Sequence, residues 1–334
     1  MADAVVFHTA SGSEANDLAL RIAEAATGRR SVAVLAGAYH GHAGAAATVS
    51  PYYHFGGAPN DPPPSHVHVM PVPDALRGVT VDPAAAARSA LAAAGGAVGA
   101  FIFEAFPSCA GQVVLPPGWL AAAAAVFRAA GAVVVADEVQ TGLYRCSPSH
   151  PFAFQLHGVT PDAVSLGKGL AGGYPCGAVA VARAVSAPFA ARGVRFFSTF
   201  GGSSAQALAG MAVLRVLADE DLPARAAAVG ERLLLALRRA LLRHPFIGDV
   251  RGSALMLGIE LVRPGAGMAR NPEAASWAAA EAKARGVLIS ADGFPAAAVL
   301  KVKPPLCFSD ADADVLVRVL ADVMDAMPRG LWGA

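Results

Sequence analysis

The sequence predicts an α/β fold, with a mostly parallel central sheet sandwiched by helices and a smaller C-terminal α+β domain behind it. Three observations lead there. Short apolar runs alternate with helical stretches through the first two-thirds of the 334 residues. Those runs are apolar at nearly every position rather than at every second one, as strands are when both faces of a sheet are covered. Polar residues able to do chemistry stand just past the ends of these runs, where open parallel sheets bind ligands.

Taken in order, the first strand is expected over 5–8 and leads through the small residues Thr9-Ala-Ser-Gly-Ser-Glu-Ala-Asn16 into a helix over 14–27. A second strand is expected over 32–35 and a helix over 83–94. The apolar stretch 89–103 ends at Glu104 and is broken by Gly95, Gly96 and Gly99. It is too short to span a bilayer and reads as helix end, turn and buried strand over 100–104. A helix over 118–130 and strands over 133–137, 163–166 and 177–182 follow. From 203 to 243 the pattern is helical with a break near 219–223, marking passage to a second domain. Beyond it come the apolar segment 255–261, a Pro/Gly loop over 264–267, a helix over 273–285, strands near Val287 and Val299, and a closing helix over 310–327. The alanine tracts, such as 121–125, are compositional bias and not an internal repeat.

Composition narrows the classes. A net charge of +1 with 15% charged residues favours no nucleic-acid partner, and 55% hydrophobic residues suit a chain with a large core. The positive mean hydropathy comes largely from alanine, a strong helix former, and implies no membrane span. Cys109, Cys146, Cys176 and Cys307 are widely spaced without a Cys-x-x-Cys pair. That weighs against a zinc knuckle or disulfide scaffold and fits a reducing compartment. The first residues show neither a basic-then-apolar signal nor an Arg-rich leader, which constrains localisation little; on the cysteines the expected setting is a reducing intracellular compartment, mitochondrial or cytoplasmic, with no choice between them.

The chemistry begins with a lysine. Of 26 cationic residues only four are lysine, and one of them, Lys168, sits in the charge-free, Gly-rich Ser165-Leu-Gly-Lys-Gly-Leu-Ala-Gly-Gly-Tyr-Pro175. A guanidinium can replace lysine as a point charge, but only an amine can form a Schiff base or shed a proton near neutrality. The segment Gly131-Ala-Val-Val-Val-Ala-Asp-Glu-Val-Gln-Thr-Gly142 delivers adjacent carboxylates, Asp137 and Glu138, at a strand end, one to each side. Alone they could cap a helix or bind a metal. Paired with Lys168 on one sheet rim, Asp137 matches a pyridoxal phosphate site, in which an acid meets the ring nitrogen and a lysine holds the aldehyde. The strand-to-helix junction at Gly12 and Ser13 suits a phosphate, or an ordinary serine cap with Glu14 in the first turn. In Gly37-Ala-Tyr-His-Gly41 an aromatic side chain could stack on a flat heterocycle, or simply pack. His40/His42 and His66/His68 are lone His-x-His pairs without a further ligand at metal spacing, and no metal is expected.

In this order the four pieces resemble the class III aminotransferases, pyridoxal-phosphate enzymes of fold type I, over about 6–327. The pairing of Asp-Glu-Val-Gln-Thr-Gly with Gly-Lys-Gly is the specific part. The resemblance implies pyridoxal 5'-phosphate as cofactor, with Lys168 and Asp137 catalytic. It implies that Gly12 and Ser13 hold the phosphate, that Tyr39 or His40 stacks on the ring, that Val139 presses on the other face and that Gln140 reaches the ring hydroxyl. Glu104 belongs to the same implied cofactor site. Thr199, in Ser-Thr-Phe-Gly-Gly202, implies a homodimer, since it looks like the residue that crosses to the partner's phosphate. Residues 1–218 would form the cofactor-binding large domain and 219–334 the small one.

Within the family, Tyr39-His-Gly-His42, Ser108-Cys-Ala-Gly-Gln112, Val287-Leu-Ile-Ser-Ala-Asp-Gly293 and Leu300-Lys-Val-Lys-Pro-Pro-Leu-Cys-Phe308 look most like the phospho-lyase branch. Its members, often labelled alanine-glyoxylate aminotransferase 2-like, act on phosphoethanolamine or 5-phosphohydroxylysine. Lys301 stands where amino-acid-specific relatives carry a carboxylate-clamping arginine, which makes it the implied substrate contact; two solvated strand lysines are the plain alternative. The roles of Lys168 and Asp137 are shared up to loss of the Cα proton. An ω-amino acid or alanine-glyoxylate type transaminase is therefore the alternative outcome. The family's usual segment before the phosphate loop has no counterpart here, and Ala10, Ala105 and Ser203-Ser204 depart from the usual pattern. A truncated, non-catalytic remnant is the second alternative.

Overall fold

The computed structural model describes residues 3–55, 62–193 and 196–332, so Met1 and Ala2, where the leader expectation begins, lie outside it. The strands of the first part are β1 (Ala4–Thr9), β2 (Ser31–Leu35), β3 (Val67–Met70), β4 (Val98–Glu104), β5 (Val133–Asp137), β6 (Ala163–Leu166) and β7 (Gly177–Ala182). They form one sheet in the order β1-β7-β6-β5-β4-β2-β3. β3, β2, β4, β5 and β6 run parallel, whereas β7 is antiparallel to both β6 and β1. The C-terminal ends of β1, β2, β4, β5 and β6 therefore share one rim.

The helices of this part are α1 (Gly12–Thr27), the short α2 (Gly44–Thr48) and α3 (Pro51–Phe55), α4 (Pro83–Ala93), α5 (Trp119–Ala129) and α6 (Arg183–Ala191). They cover both faces of the sheet, which is why β4 is buried at all seven positions. Phe101 and Phe103 point to the face covered by α4 and α5, where Phe101 stacks on Phe127 at 4.7 Å between ring centroids. Ala100 and Ile102 point the other way, into a core shared with Leu18 and Ile22 of α1. Alternation of side chains across a strand thus demands apolar residues at every position, and the unbroken run in the sequence is its signature.

Two helices lead onward, α7 (Ser204–Asp219) and α8 (Leu222–Leu241). A second sheet follows from β8 (Ile247–Ser253), β9 (Met256–Leu261), β10 (Ser290–Asp292) and β11 (Val299–Val302), interleaved with α9 (Pro272–Ala284) and closed by α10 (Asp310–Asp325). Its order is β10-β11-β9-β8, antiparallel throughout. Leu233 and Leu237 of α8, Ala278 of α9 and Leu320 of α10 pack on Leu257, Ile259 and Leu300 of this sheet. The strand expected near Val287 starts only at Ser290: the Val287 N–H returns to the Ala282 carbonyl and closes the end of α9 instead.

The second sheet is tied to the first through charge. Buried Glu260 of β9 accepts from Arg77 at 2.7 Å and pairs with Arg251 at 2.8 Å. Arg251 also donates to the carbonyls of Gly111 and Gln112 at 2.6 and 3.1 Å, fixing the loop that follows β4. Among the described residues, no helix is long and apolar enough to cross a membrane.

Candidate active site

Five strand ends of one rim surround a pocket of about 210 Å³. Its lining contains Gly12, Ser13, Tyr39, His40, Glu104, Asp137, Val139, Gln140 and Lys168, so the structure gathers nine of the anticipated residues. It adds Asn16, Gly41 and His42.

At the end of β1 the chain turns directly into α1. Ser11 is the cap: its backbone is extended and its hydroxyl accepts from the Glu14 N–H at 3.2 Å, while Glu14 returns to the Ala10 N–H at 3.0 Å. Capping and pocket lining are thus divided between neighbours, because Ser11 holds the helix while Gly12 and Ser13 face the pocket. A helix N-terminus presents unpaired N–H groups and the positive end of its dipole, which suits a phosphate. The Ser13 hydroxyl meets Nδ1 of His42 at 3.1 Å. A Cβ on Gly12 would lie 2.7 Å from Cγ1 of Val139, and one on Gly167 would lie 3.1 Å from the Gly12 Cα. Glycine at both positions keeps this wall open.

Asp137 ends β5 and is buried. Its Oδ2 accepts from Nδ2 of Asn16 at 2.8 Å and from Nδ1 of His40 at 2.8 Å, and its Oδ1 accepts from the Val139 N–H at 3.1 Å. Asn16 is held in turn by its own donation to the His40 carbonyl at 2.7 Å and by the Ser165 hydroxyl, which donates to its Oδ1. An ionised carboxylate has about four acceptor positions, so Asp137 keeps capacity for one further donor on the pocket side. The His40 ring is fully buried and commits Nδ1 to Asp137, while its Nε2 has no partner among the described residues. Of the two aromatic candidates His40 is therefore the orienting partner of Asp137. Tyr39 stands apart from it, edge-on to Tyr52 at 5.6 Å and tilted against Tyr53.

Glu138 turns to the opposite side, as adjacent positions at a strand end must. It accepts from Thr141 Oγ1 at 2.6 Å and from the Ala153 and Phe154 N–H groups at 3.0 and 2.7 Å. Burial pushes its carboxyl up to about 7. Glu104 is buried at the end of β4 and accepts from the Tyr39 and Ser108 N–H groups, both at 3.1 Å. It joins the loops after β2 and β4, and burial raises its carboxyl above the ordinary range.

Lys168 lies two residues beyond β6, at the start of a short 3-10 turn and at φ +44°. That left-handed conformation is unfavourable for a residue with a Cβ and is found most often where function requires it. Among the described residues its amine makes no hydrogen bond or ion pair. It opens both onto the pocket and onto an adjoining apolar cavity of about 760 Å³.

The two remaining lysines of interest are not solvated. Lys301 is paired with Asp292 at 2.5 Å, both largely buried. Lys303, which the sequence did not single out as a site residue, donates to Oε1 of Gln140 at 2.6 Å and to the Ser108 hydroxyl at 3.1 Å. Burial first, and then the charge of Lys301, lowers its amine to about 8. Thr199 lies on the exposed loop before α7, outside this pocket. No group of three or more His, Cys, Asp or Glu among the described residues is placed to hold a metal ion.

The arrangement fits pyridoxal phosphate on its own chemistry: anion-binding N–H groups at α1, a glycine-cleared wall, a buried acceptor at Asp137 and an uncommitted amine at Lys168. A sheet-rim pocket so equipped defines an enzyme that works on amines through a pyridoxal cofactor.

The chain belongs to the class III aminotransferase family, whose model, described as aminotransferase class-III, matches residues 1–324. It is 40% identical over 338 residues to a Drosophila melanogaster protein named alanine--glyoxylate aminotransferase 2-like, covering 97% of this chain and 68% of that one. It is 36% identical to ethanolamine-phosphate phospho-lyase homolog 1 of Caenorhabditis elegans, covering 98% and 74%. Among solved structures, a phospholyase from Arthrobacter in complex with phosphoethanolamine superposes with a TM-score of 0.88 at 33% identity, covering 97% and 78%. The fold is therefore fold type I, the cofactor is pyridoxal 5'-phosphate, and the chain is an enzyme of the transaminase and phospho-lyase kind.

Proposed function

We propose that this chain is an amine phospho-lyase that converts phosphoethanolamine or 5-phosphohydroxylysine, with water, to an aldehyde, ammonia and phosphate. The observation that carries the proposal is the substrate side of the pocket. Lys303, held by Gln140 and Ser108, opens with Lys168 onto the adjoining cavity, Lys301 is paired with Asp292 outside the linings of both spaces, and no arginine lines the cofactor pocket among the described residues. In the cofactor pocket itself a substrate α-carboxylate finds no guanidinium, and Arg145 of the adjoining cavity is turned to the Leu255 and Pro304 carbonyls, whereas a phosphate accepts from an ammonium group such as that of Lys303 without a bidentate fork. The likeness to proteins named for phospho-lyase activity supports the same reading.

Pyridoxal phosphate, when bound, supplies an aldehyde that takes up the amine and a ring that accepts the electron pair released at the neighbouring carbon. The chain's part is positional and protonic. The N-terminus of α1, with Gly12 and Ser13, holds the phosphate; Tyr39 and Val139 enclose the ring; and Gln140 meets its oxygen. Asp137, oriented by Asn16 and His40, keeps a proton on the ring nitrogen. Lys168 holds the cofactor and then takes the proton from the substrate carbon beside the amine. Lys303 and the loop at Glu104 border the space assigned to the leaving group, and Lys301, paired with Asp292, stands behind them as the proposed substrate contact.

Phe197, Phe200 and Leu208 expose 83%, 72% and 66% of their surface on α7 and the loop before it. An apolar patch of this kind beside the rim that carries Lys168 supports a homodimer, with Thr199 reaching the partner's phosphate site. We assign cofactor binding to residues 1–218 and the small domain to 219–334. The unpaired cysteines suit a reducing intracellular compartment.

The purified chain, loaded with cofactor, should release phosphate and ammonia from phosphoethanolamine or phosphohydroxylysine with no keto acid present. Turnover that requires pyruvate or glyoxylate would instead establish a transaminase, the reading favoured by the aminotransferase name of the Drosophila relative. No turnover under either condition would mark a non-catalytic form. Lys168→Ala should abolish covalent fixation of the cofactor by borohydride, and persistent fixation would refute the assignment of Lys168.

A further inference from the structure

The amide of Gln140 has a direction, and Lys303 sets it. Oε1 of Gln140 accepts from Lys303 Nζ at 2.6 Å and from Ser108 Oγ at 2.9 Å, while Lys303 Nζ also reaches Ser108 Oγ at 3.1 Å. An ammonium group can only donate, so the atom facing it must be the carbonyl oxygen and the amide cannot be turned over. With both lone-pair positions of that oxygen occupied, only the NH2 end of Gln140 remains. It has no acceptor among the described residues, and Gln140 lines the cofactor pocket. Ser108 is itself fixed by donating its N–H to Glu104 at 3.1 Å. The carbonyl of Pro304, next to Lys303, accepts from Arg145. The triangle therefore rests on two anchored loops.

We infer that Lys303 and Ser108 are positioning residues that lock Gln140 with its N–H groups toward the cofactor's ring oxygen, so that the site selects the deprotonated form of that oxygen. A locked donor stabilises an oxygen that carries negative charge and leaves no acceptor for one that carries a hydrogen. The ammonium behind the amide adds a positive charge in the same direction. The lock rests on the cofactor assignment made above, with Gln140 at the ring oxygen.

The test uses the cofactor-loaded protein and two readouts that do not depend on turnover: the ratio of the long- to the short-wavelength cofactor absorption band, and the dissociation constant of pyridoxal phosphate. Lys303→Met should shift the ratio toward the short-wavelength, neutral form and weaken cofactor binding by about tenfold, the effect of losing one charge-assisted hydrogen bond. Lys303→Arg, which retains donors, should restore most of both. Ser108→Ala removes the second donor and should give a smaller shift of the same sign, so the lock can be judged even if Lys303→Met fails to fold. An unchanged band ratio with affinity within twofold in both Lys303→Met and Ser108→Ala overturns the inference. Failure of the underlying cofactor assignment is separately visible, because the wild-type protein would then show no long-wavelength band that Lys168→Ala removes.

Discussion

Replacing Asn16 by alanine should cost the protein far more than an ordinary polar-to-alanine change. Asn16 is 1% exposed and its side chain makes three hydrogen bonds, to the His40 carbonyl, to Asp137 Oδ2 and from the Ser165 hydroxyl. Truncation leaves the His40 carbonyl unpaired in the core. The Ser165 hydroxyl keeps only a marginal 3.5 Å approach to the Ala136 carbonyl. Asp137 loses one of the two donors on Oδ2. Each buried polar group left unsatisfied costs about 1–3 kcal/mol, so the whole loss is about 3–5 kcal/mol, a large share of a typical folding free energy. Urea unfolding of the cofactor-free protein measures it, and a cofactor titration should show weaker binding because Asp137 is no longer held from the α1 side. Asn16→Asp keeps the volume but faces Asp137 with a second carboxylate, and at neutral pH it should lose at least as much. A loss below about 1 kcal/mol in Asn16→Ala would refute the argument that this network is satisfied and buried.

Glu138→Gln tests the second carboxylate. Its acid group titrates at about 7 in the folded chain against an ordinary 4.5, so the folded state favours the protonated form. Wild-type stability from this group is greatest below pH 4.5 and falls as pH rises to 7, by about 3 kcal/mol. Unfolding measured across that range should show the variant gaining on the wild type with rising pH; parallel profiles would exclude the assigned shift. Gly177→Ala would bring a Cβ within 2.5 Å of Thr9 Oγ1 and hard against the Ser11 carbonyl, and should destabilise by about 1–3 kcal/mol while weakening cofactor binding through the α1 cap. Thermal melting with and without cofactor checks both effects. Leu208→Asp, on the exposed apolar stretch of α7, should lower the sedimenting mass to that of a monomer if this surface joins two copies.

The sheet was legible because burial on both faces leaves unbroken apolar runs, and the runs at β4 and β5 end where the structure ends them, at Glu104 and Asp137. β3 was not legible. Its four residues, Val-His-Val-Met, are too few for any period to emerge. Lys168, Asp137 and Gly12 could be found because their residue types are unusual for their surroundings. Asn16 is a different case. Its partners Asp137 and Ser165 lie 121 and 149 residues away, and the one local sign was a polar side chain among the buried Ala15, Leu18 and Ala19 of α1. The division of labour between Lys301 and Lys303 was equally hidden. Two positions apart they share a face, and which one meets Asp292 and which meets Gln140 is decided by β10 and by the loop after β5.

The glycine-cleared wall of the pocket also makes a statement about sequence variation. Gly12, Val139 and Gly167 come from three separate segments yet occupy a space with no room for one more methyl group. Size at these positions is consequently a joint property. A methyl added at Gly12 would meet both methyls of Val139, at 2.7 and 2.8 Å, so its room has to be made at Val139, and neither change is neutral alone. A library that varies the three positions together at constant summed volume should retain folded, cofactor-binding members that every single-site scan of the same wall would discard.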